Sequence, residues 1–219
     1  MREIPVDVHG ARVTASLFGE PPVGTVVVLG HGAGSDRRTP FLVRLATVLA
    51  EGGRGAALYN FPYTERGGKR PDPPALLEAT TRAVHAAVRE ALGARKLVAG
   101  GKSMGGRIAS QAVAKGAPAD GLVLLGYPLH PPGKPEQLRD AHLPALAVPL
   151  LFVEGTRDAF ARWDLLTALL ERLGPRATLH RIEEGNHSFA VPKRTGLTNA
   201  AVEREIQITV AAWLAANRL

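Results

Sequence analysis

Short runs of β-branched and apolar residues alternate with stretches of helical periodicity from one end of the chain to the other, and that alternation admits few folds. The clearest run, Thr25–Leu29 (TVVVL), shows no alternation of polar and apolar residues. A strand of this kind must be covered on both faces, as happens in a parallel sheet held between two helical layers. Ala56–Tyr59, Leu97–Gly100, Leu122–Leu125, Leu150–Val153 and Thr178–Ile182 read as further strands of the same kind. Between them, a helix from Phe41 to Ala50 is stopped by Gly52, Gly53 and Gly55. Helical spacing recurs in Leu77, Val84, Val88 and Leu92, in Ile108 and Ala112, in Leu166, Leu169 and Leu173, and in the terminal stretch that holds Val202, Ile206 and Val210. The earliest runs, Ile4–Val8 and Arg12–Phe18, flank His9-Gly10 and predict an antiparallel hairpin at one edge. The pattern as a whole predicts an α/β protein with a mostly parallel, twisted sheet of about eight strands flanked by helices.

Composition narrows the functional classes. The chain has 219 residues, of which 45% are apolar, enough for one substantial core. No shift in composition marks a boundary, so a single domain over residues 1–219 is expected. The absence of cysteine excludes disulfides, a thiolate nucleophile and cysteine-bound metal. A net charge of +7 raises nucleic acid as a partner, but the basic residues are scattered and only 5% of residues are aromatic, which leaves no platform on which bases would stack. Nucleic acid is therefore not an expected partner. The opening MREIPVDVHG lacks the apolar run of a signal peptide, and the apolar stretch Leu143–Val153 is broken by Pro144 and Pro149. A cytoplasmic protein with no membrane partner is expected.

Function is concentrated in Leu97–Ser110, LVAGGKSMGGRIAS, where one serine stands among glycines between a strand and a helix. Gly101-Lys102-Ser103-Met104-Gly105 fits G-x-S-x-G in the context that gives that pattern meaning. A sharp strand-to-helix turn strains Ser103 and leaves no room for side chains at positions 101 and 105. It exposes the hydroxyl at a helix N-terminus, where the Met104 N–H favours developing negative charge. A hydroxyl needs a base to take its proton and a further group to orient that base.

Asp158 in VEGTRDAF and His187 in EEGNHSF follow in the required order, each in a loop just after a predicted strand, so all three emerge on one sheet edge. Glu154, Asp164, Glu183 and Glu184 are alternative acids, and Asp158 also suits a helix cap. His9, His85, His130, His142 and His180 fit the base position less well than His187. The loop LGHGAGSDRR, leaving Thr25–Leu29, supplies a second oxyanion donor, Ala33 or its neighbour Gly34, while His31 suits orientation of that loop rather than ligation. No metal-site spacing is present, so neither metal nor cofactor is expected. Two long connections, residues 60–74 and 127–149, are rich in proline and glycine and predict ordered pocket walls: Phe61, Tyr63, Leu129 and His130 from them, with Gly34 from the LGHGAGSDRR loop, are the candidate substrate contacts, and packing of the aromatics and prolines onto the body is the alternative for the two connections. Arg66, Lys69 and Arg70 add a basic group on the first of these loops.

The segments HGAG, GKSMGG, GTRD and GNHSF, in this order on the expected strand ends, resemble the α/β-hydrolase superfamily over nearly the whole chain. The compact size and YPLHPPGKPEQLR after Leu122–Leu125 look like its dienelactone-hydrolase-like branch, and in particular the group that includes the testis-expressed proteins and a subunit of a nuclear acetyltransferase complex. The resemblance implies nucleophile Ser103, acid Asp158, base His187 and oxyanion donors at Ala33 and Met104. Ser103 stands where true dienelactone hydrolases carry cysteine, and no stretch is long enough for a separate cap domain. The expected activity is serine hydrolysis of small to medium carboxylic esters or thioesters through an acyl-enzyme, by a monomer or homodimer. The alternative is a non-catalytic hydrolase-like binding module or complex subunit.

Overall fold

A computed structural model describes all of residues 1–219. Its eight strands are β1 (Arg2–Val8), β2 (Ala11–Phe18), β3 (Thr25–Gly30), β4 (Gly55–Tyr59), β5 (Lys96–Lys102), β6 (Gly121–Leu125), β7 (Leu150–Gly155) and β8 (Ala177–Ile182). They form one open sheet in the order β1-β2-β4-β3-β5-β6-β7-β8. The β1–β2 and β2–β4 pairs are antiparallel and the rest are parallel. The expected hairpin is present, and His9 and Gly10 turn it with φ of 45° and 82°, the positive values a tight two-residue turn requires.

The helices are α1 (Pro40–Glu51), α2 (Pro62–Glu65), α3 (Pro74–Ala91), α4 (Met104–Ala114), α5 (Trp163–Leu173) and α6 (Asn199–Ala216). Neighbouring residues of β3 divide between two cores. Val26 and Val28 join the cluster under α3, α4 and α5, whereas Val27 and Leu29 join the one under α1 and α6. This is why TVVVL carries no alternation: each fully buried valine stabilises the fold by about 1.5–3 kcal/mol on whichever side it points. No segment stands apart as a cap, and no helix is long and apolar enough to cross a membrane.

Both long connections are ordered by polar contacts to the body. In the first, α2 forms a short helix, Glu65 accepts from the Thr14 N–H, and Asp72 holds the Tyr63 N–H and Arg66. In the second, Tyr127 Oη donates to the Arg139 carbonyl at 2.6 Å and Asp140 pairs with Arg172.

His85 is a histidine of the core whose whole ring lacks a polar partner. His85 of α3 is 1% exposed and neither ring nitrogen has a hydrogen-bond partner. Burial pushes its pKa down to about 4. The folded chain then refuses a proton that the unfolded chain takes up near the ordinary value of about 6.5, so this contribution to stability is intact above that pH and is lost as pH falls towards about 4. Chemical denaturation near neutral pH and at about pH 5 should show His85→Leu sparing the chain about 2 kcal/mol of the acid loss. An identical acid loss in both proteins would assign it to other groups.

Candidate active site

The C-terminal ends of β3, β5, β7 and β8 converge at one edge of the sheet, where their loops meet. Ser103, between β5 and α4, has φ 51° and ψ −114°, a conformation that costs a non-glycine residue about 1–3 kcal/mol. The crossing of α4 over β3 imposes it. A Cβ on either Gly101 or Gly105 would overlap the Gly30 carbonyl oxygen, so both positions require glycine. The Ser103 N–H donates to the Leu125 carbonyl at 2.9 Å and pins the turn to β6.

His187 Nε2 lies 2.8 Å from Ser103 Oγ, and its Nδ1 lies 2.6 Å from Asp158 Oδ2. The structure thus brings the three predicted residues into one hydrogen-bonded chain. Asp158 Oδ1 accepts from the Phe160 N–H at 2.7 Å, and the Phe160 ring packs on the His187 ring with centroids 4.2 Å apart. The Asp158 side chain is fully buried, while His187 keeps 23% of its side-chain surface and Ser103 is half-buried. Burial pushes the Asp158 carboxyl up, but hydrogen bonds from His187 and Glu154 outweigh it and hold the group below the usual carboxylate range.

The rival residues are engaged elsewhere. Asp164 pairs with Arg162, Glu183 with Arg181, and Glu184 with Arg157 and Arg194. His130 accepts from the Arg162 N–H, His142 bonds Ser110 and His180 pairs with Glu205. His9 lies in the hairpin turn.

The loop after β3 lies against the serine: a Cβ added to Gly32 would come 3.8 Å from Ser103 Cβ. His31 is fully buried and its Nδ1 lies 2.8 Å from the Gly32 carbonyl, which orients this loop. Nε2 then faces the Phe61 N–H at 3.4 Å as an acceptor, and burial holds the His31 pKa below its ordinary value. Ala33 is exposed at the loop's tip and its N–H makes no backbone hydrogen bond. Met104 opens α4, so its N–H has no partner within the helix.

The wall residues need correction. Phe61, Tyr63, Leu129 and His130 are at most 4% exposed, because the core claims them: Phe61 packs edge-on against His31 and Tyr59, and His130 fastens its loop to Arg162. They hold the loops down and present no surface to a substrate. Gly34 is exposed and shares a polar cavity of about 510 Å³ with Asp36, Arg38 and Lys69.

A family model described as "Alpha/beta hydrolase domain" matches residues 23–215. The chain belongs to the alpha/beta hydrolase family. Solved structures agree with the fold. A Xanthomonas campestris protein described as an a/b serine hydrolase without lid is 20% identical, covers 97% of this chain and 94% of its own, and superposes with a TM-score of 0.73. Dienelactone hydrolase from Anabaena variabilis is 20% identical, with 98% and 96% covered and a TM-score of 0.74. Est1E from Butyrivibrio proteoclasticus, solved with ferulic acid bound, is 16% identical, with 95% and 99% covered and a TM-score of 0.71.

Sequence reasoning missed what lies behind the site of this alpha/beta hydrolase. Lys102 is half-buried, and its Nζ donates to the His187 carbonyl at 2.6 Å and sits 4.9 Å from the Phe189 ring centroid. Burial pushes its pKa down to about 8, against the pull of Glu154 and Asp158. Glu154, weighed above only as a rival acid, is fully buried beside Asp158. The signal was available, since each is a charge at the C-terminal end of a strand whose interior is apolar. A metal does not suit the group formed by Glu154, Asp158 and His187, because both imidazole nitrogens are bonded and an ammonium stands beside the carboxylates.

The elbow contact predicts a contrast between two glycines. Gly105→Ala should cost at least about 3 kcal/mol in urea denaturation, because its methyl meets backbone that cannot move aside. Gly24→Ala, with open space around it, should stay within about 0.5 kcal/mol of the native chain. Similar stabilities for the two would mean that α4 can retreat from β3.

Proposed function

We propose that this chain is a serine hydrolase acting on small to medium carboxylic esters or thioesters. The observation that carries the reading is the hydrogen-bonded chain Asp158–His187–Ser103, buried at its acid end and open to solvent at its hydroxyl end. Ser103 Oγ attacks the carbonyl carbon while His187 Nε2 takes the hydroxyl proton, and Asp158 holds the imidazole and stabilises its charged form. The tetrahedral oxyanion is met by the Met104 N–H, aided by the N-terminus of α4, and by the Ala33 N–H across from it. His187 then gives its proton to the departing alcohol or thiol, leaving an acyl group on Ser103. Water, deprotonated by His187, attacks that acyl group and releases the acid and a free serine.

Family membership and neighbours described as a serine hydrolase without lid and as a cold-adapted esterase support the reading. Esters and thioesters are favoured over amides because their leaving groups need less protonation. The enzyme on this reading works in the cytoplasm on a small-molecule substrate, without cofactor, nucleic acid or membrane, as a monomer or homodimer. The compact size and YPLHPPGKPEQLR support the narrower likeness to the dienelactone-hydrolase-like branch and its testis-expressed group.

Intact-mass analysis after exposure to a fluorophosphonate tests it. The native chain should gain one adduct and Ser103→Ala none, and Asp158→Asn should react about 10³-fold more slowly or worse. A folded native chain that gains no adduct would instead be a non-catalytic binding module.

A further inference from the structure

We infer that Glu154 is a positioning residue that acts as a neutral carboxylic acid, donating its proton in a hydrogen bond to the Asp158 carboxylate. The inference deepens the hydrolase reading and rests on it for its kinetic consequence. It comes from counting donors. Glu154 Oε2 accepts from the Tyr127 N–H at 2.8 Å, but Oε1, equally buried, has no donor from any other group. A carboxylate oxygen deprived of both water and a donor is costly. The ligand oxygens of Glu154 and Asp158 and a ring nitrogen of His187 all lie within 4.8 Å of one another. Asp158 receives the Phe160 N–H on one oxygen and faces His187 Nδ1 with the other, and each oxygen has capacity for a second donor.

Charge leads to the same assignment. The groups facing Glu154 are Lys102 at the end of β5, the Tyr127 amide after β6, and Asp158 with its bonded His187 from the loops after β7 and β8. Lys102 is the one fixed cation among them. A single ammonium balances a single carboxylate, and two adjacent buried carboxyls retain a proton between them. Placing it on Glu154 satisfies Oε1, leaves Asp158 anionic towards His187, and balances that anion with Lys102. In keeping with this, burial and the neighbouring Asp158 raise the Glu154 carboxyl well above its ordinary range. The hydrogen bond would lock the Asp158 side chain in the orientation that His187 requires.

The test is isotope-edited infrared spectroscopy of the full chain at neutral pH, with carbon-13 in the glutamate side-chain carboxyls. The native protein should show one protonated-carboxyl carbonyl stretch that moves with the label, and Glu154→Gln should lack it. No such band, or a band that survives the substitution, would overturn the inference. Carbon-13 NMR of the labelled native chain needs no variant: one glutamate carboxyl should remain in its acid form at neutral pH, and finding all of them ionised would be equally fatal. Fluorophosphonate labelling supplies the kinetic arm. Glu154→Met, which can neither accept from Tyr127 nor donate to Asp158, should slow labelling about tenfold or more, and Glu154→Gln, which can do both, should recover most of that loss. Equal rates for Glu154→Met and the native chain would remove the positioning role. The spectra read the proton whether or not Ser103 reacts, so a failure to label sinks the hydrolase reading by itself.

Discussion

The contact between α4 and β3 governs this molecule. Backbone meets backbone at Gly30, Gly101 and Gly105, with no side chain between, and that approach forces Ser103 into its positive-φ conformation. The strain of about 1–3 kcal/mol is sustained because the sheet is buried on both sides, and relieving the turn would pull α4 off a core that each buried valine or leucine stabilises by a comparable amount. The same geometry lifts the serine hydroxyl off the sheet edge and sets it at a helix N-terminus. The stability of the fold and the reactivity proposed for the serine therefore have one origin.

A second layer of organisation lies beneath the visible site. Lys102, one residue before the serine, reaches back to the His187 carbonyl and so joins the elbow to the loop after β8. Glu154 joins the end of β6, through the Tyr127 amide, to Asp158. Four strand ends are thus tied by two polar side chains, half-buried Lys102 and fully buried Glu154, where a surface ion pair such as Arg162–Asp164 ties only its own neighbours. Ties of this kind hold geometry because breaking either one would leave a charge or a polar group buried without its partner.

How far the site could be read in advance depended on whether a residue's task was local. Gly101, Ser103 and Gly105 act within one turn, and their spacing is a steric requirement that a one-dimensional pattern records. Asp158 and His187 were legible because parallel strands deliver their following loops to one edge, so chain order implies proximity. For Phe61, Tyr63, Leu129 and His130 the sequence left walls and loop packing open, since proline and aromatic residues in a long loop look alike whether they face a ligand or the core. Only the surrounding elements decided, by burying all four.

The sequence by itself determined the layered α/β architecture, the elbow and the order of the three bonded residues, because periodicity, turn sterics and strand direction are local properties that repeat along the chain. The tertiary structure alone decided that Lys102 and buried Glu154 come together behind Asp158, and that both long loops are fastened to the body. Burial and the pairing of charges are relations among residues distant in sequence, and they exist only once the strands lie side by side.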